Sequence, residues 1–92
     1  SLNGYLEVTL IVSNNGKIKK PVISFKGIPD DEVSETFIFD MEDEISNICK
    51  SFSLQSKKQE KNLIDTLKHN CRRIVRDKTG KKPYTNINIA RI

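Results

Sequence analysis

One histidine, His69, occurs in the whole 92-residue sequence, so a metal centre built on several histidines is excluded within this chain. The two cysteines, Cys49 and Cys71, are too few for a disulfide framework. No apolar run approaches the roughly 20 residues needed to cross a bilayer. The start shows no basic stretch followed by an apolar core and a small-residue cleavage site, so no signal peptide is read. There is no glycine-rich phosphate loop, and the sequence displays no aromatic pair for base stacking. Internal repeats and low-complexity tracts are missing too.

What is present fits a water-soluble globular domain: 36% hydrophobic and 30% charged residues. The length supports one domain that buries about two-thirds of its unfolded surface. An enzyme with its own substrate cleft would be cramped at that size. Reduced cysteines and the lack of a membrane or export segment lead to an expected cytoplasmic location.

The formal net charge of +4 hides a strong asymmetry. Residues 30 to 44 hold eight acids and no base, from Asp30 to Glu44. Residues 50 to 82 hold eleven bases and only three acids. A field divided in this way steers a polyanion toward one face. Two solvated helix faces that attract each other give the same pattern.

Residues 4 to 13 read as a strand, with Leu6, Val8, Leu10 and Val12 on one face and Tyr5, Glu7, Thr9 and Ile11 on the other. Asn14-Asn15-Gly16 is turn chemistry for a tight hairpin. A second strand is expected from about Lys17 to Lys26, at a sheet edge or with an irregularity, because Pro21 cannot donate a ladder hydrogen bond. A first helix is expected from about Asp40, with Asp43 as a weak capping partner and an apolar stripe of Met41, Ile45, Ile48, Cys49 and Phe52; Phe37 and Ile38 either extend it upstream or act as a staple. Ser56-x-x-Gln59 is a cleaner capping box and places the start of a second helix there. Its apolar face carries Leu63, Ile64, Leu67, Cys71, Ile74 and Val75. Lys61, Lys68, Arg72 and Arg76 fall opposite. Gly80 and Pro83 stop it, and a last strand follows from about Tyr84 to Ile92.

The order strand, strand, helix, helix, strand predicts an α+β two-layer sandwich, with two helices on one face of a three-stranded sheet. The last strand is expected beside the first, in a direction the sequence leaves open.

His69 has Asp65 one turn earlier, but no convergent groups that would make it a general base, so a structural role is expected. Cys49 and Cys71 lie on core stripes and are read as reduced core thiols. The acidic stretch lacks the alternating ligands and central glycine of a calcium loop. Six bases in the twelve residues from Arg72 to Pro83 are the most suggestive feature, since such a run can track phosphates. Charge alone does not single out nucleic acid, because basic helix surfaces are common.

That same tail, Arg72-Arg73-Ile74-Val75-Arg76-Asp77-Lys78-Thr79-Gly80-Lys81-Lys82-Pro83 with an apolar strand behind it, resembles the C-terminus of bacterial ribonuclease J. Gly4-Tyr5-Leu6-Glu7-Val8, Asn15-Gly16-Lys17-Ile18, Pro21-Val22-Ile23-Ser24 and Lys26-Gly27-Ile28-Pro29 resemble the hairpin that opens the same domain. The resemblance implies a parent enzyme of the metallo-β-lactamase and β-CASP type, acting in RNA processing and decay. Residues 1–92 would then be one domain, the excised C-terminal part of a larger ribonuclease, an expectation that the start at Ser1 suits. Zinc is expected in the parent's catalytic domain and no cofactor in this chain. No His-x-His-x-Asp-His run is present, so no catalytic residue carries over and no enzyme activity is expected of the chain alone.

The role so implied is support of the active enzyme through protein contacts. The partners would be the parent's own catalytic domains and other subunits of a homo-oligomer, with no membrane. Tyr5, Thr9, Ile11, Val22 and Tyr84 are the candidate protein-interface residues on a partly apolar outer sheet face. The alternative is direct RNA contact, with Lys68, Arg72, Arg73, Arg76, Lys81 and Lys82 holding phosphates.

Overall fold

The structure is a computed structural model and describes residues 3–92. The chain forms β1 (Tyr5–Val12), β2 (Val22–Lys26), a 3-10 turn (Asp30–Glu32), α1 (Glu35–Cys49), α2 (Lys57–Thr79) and β3 (Tyr84–Arg91). The three strands make one mixed sheet in the order β2-β1-β3. β1 pairs antiparallel with β2 and parallel with β3. The predicted α+β sandwich is therefore the observed one, and the open question of the last strand is answered as parallel. The two helices form the long crossover that a parallel pair requires.

Alternation in β1 sorts its side chains as the period of two demands. Leu6, Val8, Leu10 and Val12 are buried, and Tyr5, Glu7, Thr9 and Ile11 are half-buried on the opposite face. Register extends the two faces across the sheet. Val8 lies between Ile23 and Ile87 on the core side, and Thr9 between Val22 and Asn88 on the other. Met41, Ile45 and Cys49 of α1 and Leu63, Leu67, Cys71 and Val75 of α2 close the core. Each such side chain, fully buried, contributes about 1.5–3 kcal/mol relative to exposure.

Three boundaries differ from the sequence expectation. α1 starts at Glu35 rather than near Asp40, because Ser34 caps it: the Ser34 Oγ accepts from the Phe37 amide at 3.1 Å. The helix ends at Cys49, so Phe52 packs on the core from the loop beyond it rather than from the helix stripe. The second strand begins at Val22, not Lys17; before it only an isolated bridge joins Ile18 to Val12. Buried Pro21 interrupts pairing there, the irregularity its missing amide hydrogen imposes. β2 is nonetheless the edge strand expected. α2 matches its expected limits. Ser56 Oγ accepts from the Gln59 amide at 3.1 Å, and Gly80 ends the helix at φ 77°.

Candidate functional site

The exit of α2 is built as a chain of local bonds. The Gly80 amide donates to the Arg76 carbonyl at 2.7 Å. Thr79 Oγ1 donates to the Val75 carbonyl at 2.8 Å and accepts from the Lys81 amide at 3.0 Å. The Lys82 amide donates to Asn3 Oδ1 at 3.2 Å, and the Tyr84 amide to the Gly4 carbonyl at 3.0 Å. These bonds fold the turn from Gly80 to Pro83 back along the last turns of α2 and place Lys82 beside it. Together they enclose a cleft of about 330 Å³ lined by His69, Arg72, Arg73, Arg76 and Lys82.

Every lining side chain of this cleft is a cation or an imidazole. Arg73 and Arg76 share Asp77 at 3.6 Å each, a long and exposed pairing. Arg72 and Lys82 make no ion pair among the described residues. Four of the six expected phosphate contacts thus converge. Lys68 lies next to them, in a smaller depression that it shares with Arg72, Pro83, Tyr84 and Thr85. Lys81 is placed elsewhere, with its ammonium 2.6 Å from Glu32 Oε2. Asp65 is held by Lys61 at 2.9 Å, which lowers its carboxyl below the ordinary value. His69 takes part in the cleft instead, a role that sequence reasoning missed.

The second feature is the outer sheet face. Parallel register sets Tyr5 directly opposite Tyr84, and the rings stack with centroids 5.6 Å apart and planes 15° from parallel. An aromatic pair therefore exists, contrary to the sequence reading, because strand direction creates it from residues at opposite ends of the chain. Tyr84 is 65% exposed. Next to the pair, Glu7 Oε2 accepts from Asn86 Nδ2 at 3.1 Å and from Asn88 Nδ2 at 2.8 Å. The amides hold the Glu7 carboxyl below its ordinary value. Partial desolvation and the Glu7 charge push the Tyr5 phenol up.

Farther along the face, Thr9 and Ile11 are half-buried and Val22 is 52% exposed. All five expected interface residues share this one face. Lys26 joins it through its pairing opposite Tyr5, a neighbour that only the β1–β2 register reveals.

Among the described residues, no group of three or more His, Cys, Asp or Glu is placed to hold a metal ion. Cys49 and Cys71 are buried in the core, and burial pushes the Cys71 thiol up to about 12, with Cys49 and Glu44 adding to the rise. His69 is exposed, two positions from Cys71 and so on another side of α2. No helix of the described residues is long and apolar enough to cross a membrane.

The fold and its two surface features define a small α+β module with a cationic cleft and an aromatic pair on its outer sheet face. A protein-family model described as the ribonuclease J C-terminal domain matches residues 1–92, and the chain belongs to that family. A search of curated proteins gave no match to it.

Proposed function

We propose that the chain is the non-catalytic accessory domain of a zinc-dependent, metallo-β-lactamase and β-CASP type ribonuclease J of RNA processing and decay. It works in the cytoplasm and supports subunit association and stability of the active enzyme. Family membership supports the ribonuclease setting. The observation that carries the accessory reading is the one-sided cover of the sheet. Both helices pack on one face, and the other keeps Thr9, Ile11 and Val22 partly or largely exposed. A sheet is stable in water with one face covered, and a face that keeps apolar groups exposed offers area for a second protein surface. The partners are the catalytic domains of the parent chain and other copies of it. Zinc belongs to those catalytic domains, which supply the metal-activated water for phosphodiester hydrolysis.

Sedimentation of the parent ribonuclease tests the reading. Ile11→Asp with Val22→Asp is expected to shift the enzyme to smaller species, and removal of residues 1–92 to do so completely. Unchanged assembly in both cases overturns it.

A further inference from the structure

The cationic cleft does not stand alone. Arg72 lines both the cleft and the depression that holds Lys68, Pro83, Tyr84 and Thr85. Tyr84 in turn lines both that depression and a third one, of about 460 Å³, with Gly4, Tyr5, Lys26 and Gly27. Three neighbouring hollows, each sharing a lining residue with the next, therefore lead from Arg76 and Lys82, past Lys68, over the Tyr84–Tyr5 stack, to Lys26. Cations line the path at both ends, and in its middle the exposed Tyr84 ring stands stacked on the half-buried Tyr5.

We infer that this path is a binding track for single-stranded nucleic acid, with phosphates in the cleft and a base stacked at Tyr84. The inference goes beyond the assembly reading, since it takes the tyrosine end of the outer face together with the cationic cleft for nucleic acid and leaves Thr9, Ile11 and Val22 to assembly. Two independent features carry it. The first is charge: among the described residues Arg72 and Lys82 have no acidic partner within ion-pair distance, so their field reaches solvent and attracts a polyanion. The second is the aromatic pair. An acidic peptide or a plain inorganic anion needs only the cations. Alternating phosphate charge and flat apolar base is what a cationic groove ending on stacked rings fits. A duplex hides its bases in the stack and leaves the rings unused.

The stack also explains why a tyrosine on an edge strand stays two-thirds exposed without cost to the core. Its ring rests on Tyr5, whose neighbours Glu7, Asn86 and Asn88 are already locked together. The platform is pre-ordered, so little side-chain freedom is lost when a base lands on it.

The test is fluorescence anisotropy with the 92-residue chain and a labelled oligouridylate of about 12 nucleotides, a length in the range of single-strand sites. Binding is expected at low salt, falling steeply as salt rises. Arg72→Gln and Lys82→Gln should each flatten the log–log salt slope by about 0.7. Tyr84→Ala should weaken binding by about tenfold with the slope unchanged, and Tyr84→Phe should keep wild-type affinity. Thermal unfolding of each variant checks that its fold is intact. Ile11→Asp, on the assembly half of the face, should bind as wild type, which separates this outcome from failure of the assembly reading. The inference is overturned by any of four results: no binding at low salt, equal affinity for duplex RNA of the same length, equal competition by polyaspartate, or a Tyr84→Ala chain that binds as wild type.

Discussion

Lys81 and Glu32, 49 positions apart, meet with Nζ 2.6 Å from Oε2. The pair joins the turn after α2 to the 3-10 turn before α1. It thereby links the basic and acidic stretches whose separation is the main charge feature of the sequence. Each side chain is 31% exposed, so solvent screens the attraction only in part. The pair also withdraws Lys81 from the cleft that its neighbours line.

Lys81→Met is accordingly expected to lower stability by about 0.5–1 kcal/mol, and Glu32→Gln by a similar amount. The double variant should cost less than the two losses added together, because both remove one interaction. Denaturant unfolding at low and high salt measures this. The loss should shrink as salt rises, and a salt-independent loss would assign it to packing of the Lys81 stem instead.

Acid sensitivity should concentrate in three carboxylates, Glu7, Glu60 and Asp65, the last held low by Lys61. Glu7 accepts from Asn86 and Asn88, and Glu60 accepts from Arg91 at 2.8 Å; both are held below the ordinary value of 4.5. A carboxyl with a lower value in the folded state adds stability above the unfolded value, and that stability is lost as the pH falls through the folded one. The melting temperature should therefore hold steady near neutrality and decline once the pH drops below about 4.5. Glu7→Gln keeps an acceptor for the amides but cannot titrate, so it should make the decline shallower and leave the share due to Glu60 and Asp65. Thermal scans from about pH 7 to about pH 3 read both effects. An unchanged decline in Glu7→Gln would place the sensitivity elsewhere.

Periodicity and capping chemistry made much of the fold legible in the sequence. β1 shows strict alternation because one of its faces is fully covered. α2 is long, amphipathic and closed by a serine at one end and glycine at the other. α1 was harder to place because Phe37, Ile38 and Phe39 precede its clearest stripe. Its cap, Ser34, has no Glu or Gln partner three residues on to mark it. The cationic part of the site was visible as a run of bases. The aromatic part was not, since Tyr5 and Tyr84 become neighbours only when β3 runs parallel to β1 in one register. A helical crossover also fits the opposite direction when its loops are long enough, so no local signal decides it.

The register that stacks the two tyrosines is fixed just before Tyr5, at Gly4. Its carbonyl accepts from the Tyr84 amide, and it sits at φ 81°, a region that favours glycine. A Cβ added there would lie 2.6 Å from Ile28 Cγ1 and 3.0 Å from the Lys26 carbonyl oxygen. Gly80, at φ 77°, has nothing within 4 Å of the same added atom. The two glycines therefore separate conformational cost from crowding. Gly80→Ala should lose about 1–2 kcal/mol, the left-handed penalty alone. Gly4→Ala should lose about 2–4 kcal/mol, because overpacking adds to that penalty. Urea unfolding gives both values. Gly4→Ala should also weaken oligouridylate binding, since relief of the clash moves the strand end that carries the stack, whereas Gly80→Ala leaves Tyr5 and Tyr84 in place. Equal losses from the two substitutions would show that Ile28 yields freely and that Gly4 does not hold the register.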